Sequence, residues 1–168
     1  MELIFPTIEH KELVLDYKQE HIDCGEPTIH GSGGLYRADD YESWLEKITA
    51  AQTIEQPGFV TGSVYFAVVN KKFVGTIAVR HYLNESLIRT GGHIGYGVRP
   101  SERRKGYAVK MLALALEKCR AFGIVKALVT CDKDNIGSAK TIIHNGGVLE
   151  NETTDDNGNL VQRYWIQC

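Results

Sequence analysis

The sequence predicts an α+β (mixed α/β) fold with a central mixed, mostly antiparallel sheet flanked by helices. Between residues 93 and 119 the apolar spacing changes from every second residue, typical of a strand, to the spacing of a helical stripe. Two β-branched-rich runs, 64–69 and 73–83, flank Asn70-Lys71-Lys72 and indicate an antiparallel hairpin. Because helical and strand segments do not alternate strictly, neither a repeated βαβ fold nor an all-β fold is expected.

The expected order is β-α-α-β-β-β-α-β-α-β-β within one domain, residues 1–168. A strand at 2–5 ends at Pro6, which has no amide donor, and Thr7 caps a helix that reaches about residue 20. Its predicted inward residues are Leu13, Val14 and Tyr17. Residues 24–37 hold four glycines and a proline and indicate a loop. Asp39 and Asp40 then cap a second helix, which Pro57-Gly58 closes.

The second half begins with a turn at 90–92 and the central strand at 93–98, which Arg99-Pro100 ends. A helix follows and stops at Gly123. A buried strand at 125–131 and a short helix ending at residues 145–146 come next. Residues 148–152 and 160–167 flank Asp155-Asp156-Asn157-Gly158-Asn159, a composition typical of a hairpin turn.

The segment from Arg103 to Ala108, Arg-Arg-Lys-Gly-Tyr-Ala, joins the central strand to its helix and indicates an anion site. A helix N-terminus has amides without internal partners and about half a positive charge. Basic side chains normally avoid this end, so Arg103, Arg104 and Lys105 are unfavourable there unless an anion is bound. The pattern matches neither a dinucleotide fingerprint nor a nucleoside-triphosphate loop, so another diphosphate ligand is expected.

Arg-x-x-Gly-x-Ala at 103–108, after a strand ending at Val98, resembles the acetyl-CoA motif [QR]-x-x-G-x-[GA] of the GNAT N-acetyltransferases. The resemblance runs from about Tyr65 to Gly147, roughly half the chain. It implies that acetyl-CoA is the acetyl donor and that the amides of Arg104, Lys105, Gly106, Tyr107 and Ala108 hold its pyrophosphate. It also implies that the strand carrying Tyr96 and Val98 pairs with the pantetheine arm.

A second segment, Asn135-Ile-Gly-Ser138, resembles the N-x-x-[AS] motif that contacts the pantetheine arm in this family; in any fold it could equally be a helix cap. Many family members have a tyrosine seven residues after this asparagine, which protonates the departing thiolate. Here that position is Ile142. Gly147 also stands where an aromatic residue is common. The thiolate is nevertheless a fair leaving group, since a thiol has a pKa of about 8.5.

The base that deprotonates the acceptor amine is open in the sequence. The glutamate that some family members carry on the central strand falls, by residue count, at Gly92. Its neighbour His93 is the residue expected to act as the base, with a partly exposed strand histidine as the alternative. Glu85, Glu26 and His30 are weaker loop candidates. No metal is expected, because the six histidines show no ligand spacing.

Composition bounds the partners. A net charge of −2 argues against bulk binding to nucleic acid. The four cysteines include no C-x-x-C pair, no apolar run is long enough to span a membrane, and the N-terminus lacks an export signal. We therefore expect a cytoplasmic protein without membrane partners; a homodimer is allowed.

Three functions compete at this stage. The first is acetyl transfer from acetyl-CoA to a primary amine of a small molecule, with the loop at 24–37 and the second helix over the acceptor site and with Glu26, Asp39 and Asp40 available to attract a cation. The second is a non-catalytic module that binds or senses acyl-CoA, because the usual tyrosine and glutamate are missing. The third is a phosphate-binding protein for a nucleotide or RNA, which the overall charge disfavours.

Overall fold

The computed structural model describes all 168 residues and contains one seven-stranded mixed sheet. Its strand order is β1-β2-β3-β4-β5-β7-β6, and every pair is antiparallel except β4 with β5. The strands are β1 (Glu2–Ile4), β2 (Gly62–Val69), β3 (Lys72–Arg80), β4 (Ile94–Val98), β5 (Lys126–Asp132), β6 (Val148–Thr154) and β7 (Leu160–Gln167). The helices are α1 (Lys11–Asp23), α2 (Tyr41–Ala50), α3 (Tyr107–Ala121) and α4 (Ile136–His144). The predicted fold class and element order are confirmed.

Each face of the sheet has its own hydrophobic core. On one face, α3 and α4 pack against β3, β4 and β5 through residues such as Met111, Leu112 and Ile142. On the other face, α1 and α2 supply Tyr17 and Trp44, which pack with Phe66 and Phe73 of the first hairpin. The sheet therefore separates a side covered by α3 and α4 from a side covered by α1, α2 and the loop between them.

The first hairpin forms where the sequence predicts it. Asn70 and Lys71 both have positive φ, 49° and 63°, which suits the right-handed twist of a tight hairpin. This turn places Val69 opposite Lys72, and a β-bulge between Ala67 and Val68 then shifts the register by one residue, so that Tyr65 lies opposite Ile77.

The sheet opens between β4 and β5. The two parallel strands pair only at Ile94 with Val129, and the rest of β4, from Gly95 to Val98, has no partner on that side. No strand pairs with this edge of β4, so its backbone groups are available to a ligand, apart from the Val98 carbonyl, which accepts a hydrogen bond from Arg103. This opening positions the candidate site.

Several local predictions differ from the structure. Thr7 is the N-cap of a short 3₁₀ helix, Ile8–His10, and not of α1, and the strand predicted at 73–83 ends at Arg80. Leu13 is 40% exposed, and the inward residues of α1 are instead Val14, Tyr17 and His21. Helix α2 ends at Ala50, not at Pro57-Gly58, because its last turn tightens and the Ala51 carbonyl accepts a bond from Gly62, which leads the chain into β2. Residues Leu87–Gly91 form one π-helical turn where only a simple turn was expected. None of the helices has the length and apolarity needed to cross a membrane.

Candidate active site

A cleft of about 590 Å³ lies where β4 and β5 separate. Four segments line it: the loop after α1, the end of β4, the N-terminus of α3, and α4. The sequence-predicted residues that line it are Tyr96, Val98, Arg103, Arg104, Gly106, Tyr107, Ala108, Asn135 and Ser138. The two separate sequence motifs thus meet around one cavity.

The N-terminus of α3 suits an anion. Gly106 precedes the helix with φ of 76°, in the left-handed region that favours glycine, and no side chain caps the helix. A Cβ built on Gly106 would meet no atom within 4 Å, so the space in front of the first turn is open. The free amides of this turn and the helix dipole together fit a diphosphate group such as that of coenzyme A.

The charge pattern predicted that the three basic side chains next to this turn all face a bound anion. In the structure, two of them are paired with protein carboxylates instead. Arg103 forms an ion pair with Glu26 at 2.5 Å and donates to the Val98 carbonyl at 3.1 Å. Lys105 pairs with Glu102 at 2.8 Å. Only Arg104, whose φ is 64°, has no hydrogen bond or ion pair within the protein. Protein carboxylates therefore relieve most of the charge conflict, and Arg104 is left to meet an added anion.

Tyr96 joins β4 to α4 across the cleft. Its hydroxyl lies 2.8 Å from Ser138 Oγ, and its side chain packs against the core beneath α3. Burial raises the pKa of the Tyr96 phenol to about 12, although the hydrogen bond from Ser138 works against this rise. The phenol therefore stays protonated at every physiological pH.

Asn135 and Ser138 have the cap geometry that the alternative interpretation described. Asn135 Oδ1 accepts the Ser138 amide at 3.0 Å and so begins α4. Both residues also line the cleft, so capping does not prevent contact with a ligand. Ile142, at the position of the family's tyrosine, is fully buried in the core and does not line the cleft.

The glycines of β4 lie against the protein's own backbone. A Cβ on Gly31 would come within 2.4 Å of the Gly95 carbonyl oxygen, and a Cβ on Gly97 within 2.9 Å of the His30 carbonyl. The same His30 carbonyl accepts a hydrogen bond from Thr76 at 2.9 Å. Of the two partners that a bare strand face allows, a ligand or another backbone, the structure places the loop backbone on this face.

His93 does not join the cleft residues. It is 7% exposed, and its Nδ1 accepts the Leu128 amide at 3.0 Å, which ties β4 to β5. Burial and the nearby Arg80 charge lower the pKa of His93 to about 4. A neutral imidazole that accepts at Nδ1 carries its proton at Nε2, so it has no free lone pair for an amine's proton. The geometry argues against the expectation that His93 is the base and assigns it a structural role.

Among the other candidate bases, Glu26 and His30 line the cleft and Glu85 does not. Glu26 also binds His21 Nδ1 at 2.6 Å in addition to Arg103. Partial burial raises the pKa of Glu26, but the bonds from His21 and Arg103 outweigh this and lower it. Sequence reasoning missed this His21–Glu26–Arg103 network, because Arg103 lies far from the other two along the chain. No group of His, Cys, Asp and Glu side chains is arranged to hold a metal.

A splayed parallel strand pair, with an open helix N-terminus beside it, is the arrangement that the resemblance implies for a coenzyme A-dependent acyltransferase. The family model described as "Acetyltransferase (GNAT) domain" matches residues 6–148. The chain therefore belongs to the GNAT acetyltransferase family. The predicted enzyme class, acyltransferase, and the predicted acetyl donor, acetyl-CoA, are confirmed.

Solved structures of other acetyltransferases share this fold. RimJ of Mycobacterium smegmatis, in complex with a CoA disulfide, aligns with a TM-score of 0.74 and 18% identity over 99% of this chain and 81% of its own. RimL, the ribosomal L7/L12 alpha-N-protein acetyltransferase, aligns with a TM-score of 0.70 and 16% identity over 98% of this chain and 92% of its own. The microcin C7 self-immunity acetyltransferase MccE, in complex with acetyl-CoA and AMP, aligns with a TM-score of 0.67 and 17% identity over 99% of this chain and 91% of its own. A sequence search among curated proteins found no match.

Proposed function

We propose that this protein transfers the acetyl group of acetyl-CoA to a primary amine of a small molecule. The observation that carries the proposal is the uncapped N-terminus of α3, which opens into the same cleft as the unpaired edge of β4. The helix amides bind the pyrophosphate, and Asn135 and Ser138 flank the pantetheine arm.

The chain contributes mainly by positioning. Bound acetyl-CoA supplies an activated thioester, and the free amides of β4 beyond Ile94 orient it and polarise its carbonyl. The loop at 24–37 closes the other side of β4 and limits the access of water. The amine then needs only a short path to the carbonyl carbon and a base for its proton.

We assign that base to His30. It lines the cleft beside Gly97, whereas the carboxylate of Glu26 is held by two partners and His93 accepts a backbone amide. An imidazole in this position takes the proton of an alkylammonium directly or through one water. We expect His30→Gln to lower turnover by about 100-fold while coenzyme affinity changes little, which steady-state kinetics and coenzyme titration measure.

The proposed acceptor is small because the loop after α1 packs tightly on β4. Gly31 lies at backbone contact with Gly95, so the loop covers this part of β4 and leaves little room there for a bulky acceptor. A flexible protein N-terminus is the second candidate acceptor. It is favoured by the similarity in fold to RimL, whose name describes an alpha-N-protein acetyltransferase.

The test is release of free thiol from acetyl-CoA in the presence of two panels, small primary amines and short peptides with free N-termini. Turnover with small amines above the rate of hydrolysis supports the proposal. Turnover with peptides alone would mean that the acceptor is a protein N-terminus and not a small molecule. Tight coenzyme binding without release in either panel would instead favour the non-catalytic acyl-CoA-binding module. The cytoplasmic setting and a homodimer stay predictions.

A further inference from the structure

The leaving thiolate has no partner at the family's usual position. Ile142 is fully buried against the core and carries no donor. A negative sulfur forms as the acyl bond breaks, and a hydroxyl placed beside it would stabilise it. The other hydroxyls of the cleft are therefore candidates for this role.

Tyr96 is the best placed of these hydroxyls. It lies two residues beyond the last pair between β4 and β5, where the sheet opens, and its phenol points across the opening to α4. Ser138 Oγ lies 2.8 Å from the phenol oxygen and can donate to it. With its oxygen serving as acceptor, the Tyr96 hydroxyl keeps its own hydrogen, which the Ser138 carbonyl accepts at 3.5 Å. This contact is at the long limit of a hydrogen bond, so the hydroxyl can exchange it for a stronger acceptor in the cleft.

We propose that the Tyr96 hydroxyl donates a hydrogen bond to the thioester sulfur as the carbon–sulfur bond breaks, in place of the tyrosine missing at position 142. The proposal rests on the acetyl transfer proposed above and adds a catalytic residue to it. Ser138 is a positioning residue that orients the phenol.

The bonds and protons balance without transfer from the phenol. The nitrogen lone pair of the amine forms the carbon–nitrogen bond, and the electron pair of the carbon–sulfur bond goes to sulfur. The proton that the amine loses to the base neutralises the thiolate on release, so the products are an amide and a free thiol. With a pKa of about 12, the phenol is a weaker acid than a thiol of about 8.5, so it stays protonated and acts as a donor only.

The test begins with Tyr96→Phe, which removes only the hydroxyl. We expect kcat with acetyl-CoA to fall by about 10- to 100-fold, as for a lost hydrogen bond to a charged group, while coenzyme affinity changes little. Ser138→Ala should lower kcat less, because the phenol itself remains. Tyr65→Phe is the matched control: Tyr65 is another half-buried tyrosine packed on the same core, its hydroxyl makes no hydrogen bond, and turnover should be unchanged.

A change of leaving group separates this role from a structural one. An S-aryl thioacetate releases a thiolate that is stable without help, so the deficit of Tyr96→Phe in kcat/KM should shrink to within about threefold with that donor. An equal deficit with both donors would mean that Tyr96 only supports the fold, and no deficit with acetyl-CoA would mean that its hydroxyl does not act. Either result overturns this inference but leaves the proposed function intact, provided that the wild-type protein turns over. A wild-type protein without turnover would overturn both.

Discussion

The two faces of β4 are built in different ways. Toward α3 and α4, Tyr96 and Val98 border a cleft whose proposed anion-binding groups are consecutive backbone amides at one helix N-terminus. On the other face, Gly95 and Gly97 lie under the backbone of Gly31 and His30, more than sixty residues earlier in the chain. The proposed anion-binding amides are therefore local in sequence, whereas the proposed acceptor side is assembled by long-range packing.

This difference explains how differently the two sides tolerate change. A site made of amides does not depend on which side chains surround it, provided that the turn is open and glycine is available for its positive φ. A site formed by a loop pressed onto a strand depends on backbone contact that a single methyl group would disrupt. Pairs of glycine substitutions, one pair for each side, can distinguish the effects on coenzyme binding from those on loop packing.

Replacement of Gly106 should have the largest effect. In Gly106→Glu, a carboxylate would lie where the pyrophosphate is expected. At an effective dielectric of about 20, repulsion from one phosphate charge at about 4 Å costs about 4 kcal/mol, so acetyl-CoA affinity should fall by more than about 100-fold. Titration of the coenzyme measures this effect.

Gly123→Glu is the matched control for this substitution. Gly123 lies at the other end of α3 with φ of 78°, and a Cβ there would also meet nothing within 4 Å. It has the same backbone strain but no phosphate nearby, so its affinity should stay normal. Equal affinity losses in both variants would mean that folding, not phosphate binding, is affected.

Replacement of Gly31 tests the other face. In Gly31→Ala the added methyl would meet the Gly95 carbonyl at 2.4 Å at a φ of 73°, so the loop must move away from β4. We expect a loss of about 2 kcal/mol or more in the free energy of unfolding, with turnover falling further than coenzyme affinity. Gly25→Ala, in the same loop with φ of 69° and open space, should show only the smaller strain cost. Identical losses in the two variants would contradict backbone contact as the cause.

The sequence predicted the fold well because the fold rests on local signals. The hairpin around Asn70 and Lys71, the change of period after Val98 and the turn at 155–159 all appear where expected. Leu13 and the end of α2 were predicted wrongly because tertiary contacts decide them. The chain leaves α2 when Ala51 bonds to Gly62, a contact that no local pattern reports.

Glu20 connects α1, on one face of the sheet, to the turn that follows β4, and its substitution should have an intermediate effect on stability. From α1, it accepts the Ser101 amide at 2.7 Å and pairs with Arg99 at 2.5 Å, so it holds the turn that follows β4. Partial burial raises the pKa of Glu20, but the bonds from Ser101 and Arg99 outweigh this and lower it to about 2. Glu20→Gln should reduce the free energy of unfolding at pH 7 by about 1–2 kcal/mol.

The pH dependence of stability checks this assignment. Because the folded pKa is depressed, the contribution of Glu20 is complete above its ordinary value of 4.5 and is lost as pH falls toward 2. Denaturant unfolding between pH 6 and pH 2 should therefore show the wild-type protein converging with Glu20→Gln as acid is added. A constant difference in unfolding free energy between the two proteins across this range would mean that ionisation of Glu20 is not the cause of the stability loss.

A smaller effect is expected from Arg104, the one basic side chain near the turn without a protein partner. Arg104→Gln should weaken acetyl-CoA binding by about two- to fivefold at low salt and should reduce the salt dependence of the affinity. Isothermal titration at two ionic strengths measures both quantities. Unchanged salt dependence in the variant would mean that the amides alone hold the phosphates.

The smallest effect is expected at His93. A glutamine oxygen can accept the Leu128 amide as Nδ1 does, so His93→Gln should keep turnover within about threefold and leave the pH profile unchanged. A loss of about 100-fold together with the acidic limb would restore His93 as the base and contradict its structural role.

The residues of the candidate site that lie in short sequence motifs were predicted, and those brought together by long-range packing were not. Gly106, Ala108, Asn135 and Ser138 stand at fixed spacings in two short motifs, and all line the cleft. The base could not be placed, because proximity to the cleft depends on how the loop at 24–37 folds over β4. The pairing of Arg103 with Glu26 was likewise out of reach, since both are ordinary surface residue types in the sequence.

The most direct test of the coenzyme side is amide hydrogen exchange at Tyr107, Ala108 and Val109, measured with coenzyme A and with pantetheine. Pantetheine lacks the pyrophosphate and serves as the control ligand. If the first-turn amides of α3 hold the pyrophosphate, coenzyme A slows exchange at these three positions and pantetheine does not. Tight binding of coenzyme A without slower exchange there would contradict this assignment.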